Sequence, residues 1–165
     1  MKLKRFLLLF ILLIIFIVLS AISYASSVTG NISNNLLRLH VIANSNRSED
    51  QNLKYIIRDE IIKYVGDLTQ NAKSKKEVLA IVKENTSEIN QTAKNTILAN
   101  NYNYDVNIEI GNFAFPTKHY DDIALPAGFY DAIKVEIGEA KGENWWCVMF
   151  PPLCFTDVTR WFCSR

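Results

Sequence analysis

Leu36-Leu37-Arg38-Leu39-His40-Val41-Ile42-Ala43 is the stretch on which the fold turns. Leu37, Leu39, Val41 and Ala43 recur at period two, which predicts a strand with one side in a core. Arg38 and His40 share the other face with Ile42, so that face is mixed and His40 reads as a partly exposed strand residue. Asn44-Ser45-Asn46 ends the strand with turn formers. Ser48-Glu49-Asp50-Gln51 then has the spacing of a capping box and predicts a helix start. Leu53, Ile57, Ile61 and Tyr64 make that helix's apolar stripe, and Gly66 offers a left-handed end. Ser74-Lys75-Lys76-Glu77 repeats the capping signal before Val78, Val82, Ile89, Ala93 and Ile97. That spacing fits one long helix or two, split near Asn85-Thr86-Ser87.

From Tyr104 the period returns to two, with Val106, Ile108 and Ile110 against Asp105, Asn107 and Glu109, and Gly111-Asn112 is expected to close this strand. Ile133, Val135 and Ile137 alternate with Lys134 and Glu136 in another strand, from about Phe129. Trp145 to Phe150 forms the last, stopped by Pro151-Pro152. The order of one strand, helices and three strands predicts an α+β domain, with an antiparallel or mixed sheet of about four strands and two to three helices packed on one face.

Upstream, Lys2, Lys4 and Arg5 precede an apolar run from Phe6 to Leu19, followed by Ser23-Tyr24-Ala25. This is the layout of a secretory signal. The run falls short of the roughly 20 apolar residues of a spanning helix, which favours cleavage after Ala25. An uncleaved anchor, with the basic residues kept on the cytoplasmic side, is the other reading. Either way the chain beyond Ser26 is expected outside the cytoplasm, as residues 1–25 signal peptide or anchor, 26–35 polar linker and 36–165 one exported domain. Net charge is +1 with both signs dispersed, so no block would attract a nucleic-acid backbone or an anionic bilayer.

Two segments stand out for their chemistry. Phe113 to Tyr120 and Leu125 to Tyr130 combine prolines, a glycine and several aromatics, which predicts an ordered loop that either seals the sheet or presents a docking surface. In Asn144-Trp145-Trp146-Cys147, neighbouring tryptophans on a strand must point to opposite faces, one toward the core and the other either anchoring a partner or covered in turn by a helix or loop. The chain has three cysteines, and Cys147 and Cys154 sit symmetrically about a turn near Pro151, where a disulfide would contribute roughly 2.5 kcal/mol. The sharper alternative is a Cys147 nucleophile with His40 or His119 as base, an exported Cys/His hydrolase acting on cell wall or peptide, although no local hydrolase signature surrounds Cys147. Paired metal-ligand spacings and a phosphate-binding loop are both lacking, so neither metal nor cofactor is expected. Asp121-Asp122 reads as a solvated turn.

Taken together, Leu39-His40-Val41-Ile42-Ala43-Asn44-Ser45 with Asp50-Gln51, Phe115-Pro116-Thr117-Lys118 with Tyr120, Leu125-Pro126-Ala127-Gly128, and Asn144-Trp145-Trp146-Cys147 running into Phe150-Pro151-Pro152-Leu153-Cys154 resemble the stage II sporulation protein R family. The resemblance spans essentially the whole exported domain. It implies a signalling protein secreted across the forespore membrane into the space between forespore and mother cell. There it would activate a membrane-embedded aspartic protease that processes the sigma-E precursor, with no catalysis of its own. Arg38, His40, Asn44, Lys118, Trp145 and Trp146 are the candidate contacts to the protease's extracytoplasmic face. Asn46 stands where the family pattern leads one to expect an acidic residue, and Arg165 closes a shorter tail than many relatives carry.

Overall fold

A computed structural model describes residues 2–120 and 123–152; Asp121, Asp122, Cys154 and Cys163 lie outside the described residues. Four strands form one mixed sheet in the order β2-β5-β1-β6, made of β1 (Leu37–Ile42), β2 (Val106–Phe115), β5 (Gly128–Ile137) and β6 (Asn144–Phe150). The expected α+β class holds. β1 lies between β5, to which it is parallel, and β6, to which it is antiparallel. Parallel neighbours need a crossover, supplied here by α2 (Ser48–Thr69), α3 (Lys75–Glu84), α4 (Thr86–Ala99) and β2.

The three helices cover one face of the sheet. Leu37, Leu39 and Val41 point into it and meet Leu53, Ile57 and Ile61 of α2, with Ile89 and Ile97 of α4 behind. Burial of these side chains from water, at about 25 cal/mol per Å² of apolar surface, is the main force holding the layers together. The second helical stretch is two helices. Asn85 ends α3 through its N–H to Ile81 O (3.0 Å), and its own carbonyl accepts the Ile89 N–H that opens α4. Ser74 caps α3 as expected, accepting the Glu77 N–H at 3.3 Å.

Four boundaries differ from the sequence reading. Arg47, not Ser48, is the N-cap of α2, because Gln51 turns its amide to Ser45 O (2.9 Å) instead of back to a cap. Gly66 lies inside α2, which runs on to Thr69, since Val65 still packs in the core beneath it. Gly111 does not close β2; it pairs with Ala132 and the ladder continues to Phe115 opposite Gly128. The segment expected as a linker, 26–35, is helical: α1 runs unbroken from Lys2 to Asn35. Helix propagation adds a backbone bond per residue, and the far end is held by the domain, where Ile32 packs under the sheet and Ser33 O accepts Lys75 Nζ at 3.4 Å.

Leu3–Tyr24 of α1 is long and apolar enough to cross a bilayer, with mean hydropathy 3.2 and none of it buried in the domain. A signal sequence and an anchor both have this form.

On the face away from the helices, a second cluster forms from Leu36, Phe115, Leu125, Tyr130, Ala132 and Val148. Its cover is the short hairpin of β3 (Lys118–Tyr120) and β4 (Ile123–Leu125) together with the last turns of α1. Thr117 Oγ1 accepts the Ala127 N–H (3.1 Å) and Tyr130 O–H donates to Pro126 O (2.7 Å), clasping the base of the hairpin. The ordered loop foreseen around Pro116 and Pro126 therefore seals the sheet.

Candidate docking face

β1 sends its even-numbered side chains to the hairpin-covered face, and the central position of the strand buries them more than the sequence suggests. Arg38 is fully buried. Its guanidinium lies 4.1 Å from the Phe115 ring centroid and 4.9 Å from that of Tyr130, and Nη2 donates to Tyr120 Oη at 2.6 Å. Among the described residues Nε and Nη1 have no hydrogen-bond partner, and aromatic faces rather than an acid offset its desolvation there. Burial pushes its pKa below the ordinary arginine value, against the phenol oxygens of Tyr120 and Tyr130.

His40, one row further along, is 8% exposed. Its ring stacks on Trp146 with centroids 3.8 Å apart and 16° between planes, and Nε2 lies 2.7 Å from Asn144 Oδ1. Burial lowers the imidazole pKa, against the hydrogen bond to Asn144, and nearby Lys134 lowers it further. Register places Trp146, His40, Lys134 and Glu109 in one row across the sheet, with Asn144, Ile42, Glu136 and Asn107 in the next. Lys134 binds Glu136 at 2.7 Å and Glu109 at 3.4 Å. Beyond the Trp146–His40 stack these two rows are half-buried or exposed, and no described helix or strand lies over them.

The two tryptophans do point to opposite faces. Trp145 turns to the helix side, edge-on to Tyr55 at 5.4 Å with the Arg58 guanidinium 4.4 Å from its ring. Trp146 lies on the open face. Both are half-buried, so neither is simply core or simply free. Lys118, half-buried on β3, stands on the hairpin.

Asn44 does something else. Its Nδ2 donates to Asp50 Oδ2 (2.8 Å), and its Oδ1 accepts the Glu139 N–H (2.9 Å). Asp50, 1% exposed, also accepts Ser45 Oγ–H (2.5 Å) and Tyr104 O–H (3.0 Å). Burial alone would raise this carboxyl's pKa; the hydrogen bonds from Ser45, Asn44 and Tyr104 outweigh it and hold the pKa below the ordinary aspartate value. Asn46 Oδ1 accepts the Glu143 N–H at 2.7 Å, a role a carboxylate oxygen could fill equally, so the departure at this position keeps the contact. Gly142 fits because a Cβ there would lie 2.4 Å from Ser45 O, and Gly138, at φ +57°, because a Cβ would lie 2.3 Å from Asn44 Oδ1. The first motif thus clamps the β1–α2 loop to the β5–β6 turn.

Cys147 is disulfide-bonded; its expected pairing with Cys154 falls on a residue outside the described ones. It lies in the helix-side core opposite Leu39, whereas His40 is on the other face. His119 sits on the hairpin over that same far face. The cysteine and histidine weighed as nucleophile and base are therefore separated by the sheet. Of the six candidate contacts, His40 and Trp146 meet. Lys134 and Glu136, which join them, were missed because period-two reading marks them merely as the wet side of a strand, without saying which strand lies next to which; Asn144, which also joins them, was quoted in the tryptophan motif but not singled out as a contact.

These contacts tie together the motifs quoted above: the β1 and tryptophan motifs meet in the sheet, and the two proline motifs form its cover. A family model described as Stage II sporulation protein R (spore_II_R) matches residues 33–160. Stage II sporulation protein R of Bacillus subtilis (strain 168) is 36% identical over 129 residues, covering 78% of this chain and 58% of that protein. The chain thus spans somewhat over half the length of this curated relative. No solved structure matches. By the extent of the family match and the order of its motifs, the chain belongs to the stage II sporulation protein R family.

Proposed function

We propose that the domain is an exported sporulation signal, released across the forespore membrane, that binds the extracytoplasmic face of a membrane-embedded aspartic protease and switches on sigma-E precursor processing. The observation that carries this reading is the half-buried Trp146, stacked on the buried His40 and bordered by the exposed or half-buried Lys134, Glu136 and Asn144. A half-buried aromatic with a rim of charges is the anatomy of a protein-docking hot spot. Ligand binding shifts a protease between states only through differential affinity, which a rigid face supplies better than a mobile one. In this reading the chain acts as an activator; Cys147 is held in a disulfide, and its side chain is across the sheet from His40.

The test is reconstitution: the chain, the candidate protease and the sigma-E precursor expressed together in a non-sporulating host. Precursor cleavage that requires export of the chain, and that Trp146→Ala abolishes while the domain stays folded, is the expected result. Absence of cleavage, with the protease competent and the chain exported and folded, overturns it.

A further inference from the structure

The sheet ends on one side in β2, and this edge is unusual in being undefended. Gly138 N–H donates to Asp105 O at 2.8 Å, which fixes the phase of the antiparallel ladder: Asn107, Glu109, Gly111 and Phe113 turn their backbone groups toward β5. Val106, Ile108, Ile110, Asn112 and Ala114 turn theirs outward. Asn90 Nδ2 donates to Val106 O (3.3 Å). The N–H and C=O groups of Ile108, Ile110, Asn112 and Ala114 have no strand partner among the described residues.

Natural edge strands are blunted by lysine, proline, bulges or shortness. Val106–Phe115 has ten residues in unbroken register, no proline, no lysine and Glu109 as its one charge. The opposite edge, β6, is defended: its register breaks against Leu37/Arg38 and it runs into Pro151-Pro152.

We propose that β2 is a self-pairing edge, joining a second copy of this chain into one continuous antiparallel sheet about a twofold axis at Ile110. In that register Ile110 faces its own copy and Ile108 faces Asn112 of the other chain, so each copy donates the N–H groups of Ile108, Ile110 and Asn112 to the other. Glu109 falls opposite Gly111, and Asn107 opposite Phe113, so no like charges meet. A register centred on Glu109 would instead oppose two carboxylates. The twofold unit would present two copies of any docking face, and the proposal stands independently of what that face binds.

The test uses the chain purified as exported, in sedimentation and residue-resolved hydrogen exchange over a micromolar dilution series. The expected result is a species of doubled mass in which the amides of Ile108, Ile110 and Asn112 exchange slowly, becoming fast on dilution. Asn112→Pro, which removes an outward N–H and no internal ladder bond, should sediment as a monomer. Exchange in the unmodified chain decides the matter if that variant misfolds. A single-mass species at every concentration, with alternating protection along β2, overturns the proposal. So does a dimer whose outward amides stay unprotected.

Discussion

Asp50→Asn removes one charge from the centre of the clamp and little volume. Asp50 Oδ2 accepts from Ser45 (2.5 Å) and Asn44 (2.8 Å), and Oδ1 accepts from Tyr104 (3.0 Å). Arg47, with its side chain 68% exposed, lies 3.6 Å away and adds little. Whichever way the new amide is turned, its NH2 faces at least one of these donors. Hydrogen bonds to a charged group contribute about 1.5–3 kcal/mol each and neutral ones about 1. Exchanging three of the first kind for at most two of the second costs at least about 2.5 kcal/mol, or roughly 10 °C in Tm for a domain of this size. Urea unfolding followed by tryptophan fluorescence measures it. The pH dependence is fixed in sign: the folded pKa of Asp50 is depressed, so its stabilisation is complete above the unfolded aspartate value of about 3.9 and is lost as pH falls through the folded one. The gap between wild type and variant should therefore close in acid. A loss below about 1 kcal/mol at neutral pH, or a gap that does not narrow on acidification, would refute the assignment of this network as the clamp.

Gly142→Ala should cost at least about 2 kcal/mol in the same assay, because its Cβ meets backbone atoms at Ser45 that cannot swing away. Arg38→Met should stay within about 1 kcal/mol of wild type and keep signalling, since a buried cation with no acidic partner among the described residues is replaced by an apolar chain of similar reach, whereas Arg38→Ala should lose about 3 kcal/mol through the cavity. The His40 pKa is lowered, so its stabilisation is complete above the ordinary histidine value of about 6.5 and falls as pH drops through the folded one; His40→Gln should flatten the stability profile below that value. Reduction of the Cys147 disulfide should lower stability by about 2–4 kcal/mol, read as a shift in the urea midpoint.

Period-two alternation was enough to place the four sheet strands, because each buries one face against helices and the pattern is local. What pattern reading could not supply was adjacency. That β1 lies beside β5 in parallel and is therefore central, with Arg38 and His40 buried on the supposedly mixed face, depends on contacts some ninety residues apart. The helical state of 26–35 was equally illegible: Ser, Thr, Gly and Asn favour turns locally, and the segment is held by a hydrophobic contact at Ile32 and by Lys75, both set by the fold. For the candidate site, the Trp145–Trp146 split was readable from strand geometry alone. The role of Asn44 was not, since an asparagine after a strand looks the same whether it faces a partner or receives a backbone N–H from a turn distant in sequence.

The three roles carried by β1 and its loop constrain one another. Odd residues Leu37, Leu39 and Val41 fill the helix-side core; even residues Arg38 and His40 carry the hairpin and the tryptophan stack; Asn44 and Ser45 hold the clamp. Side-chain period in a strand is two, so a one-residue slip exchanges the faces. It would drive Arg38 and His40 into the aliphatic layer and pull Asn44 off Glu139 in the same step. Register is therefore enforced from both faces and from the loop, and the position of Trp146 relative to Lys134 follows from it. A single-residue insertion between Ile42 and Asn44 could leave the core pairs intact while releasing the clamp, whereas the same insertion between Leu37 and Leu39 should abolish folding. A docking face built on the central strand inherits that rigidity, with its geometry fixed by the core rather than by the loops that border it.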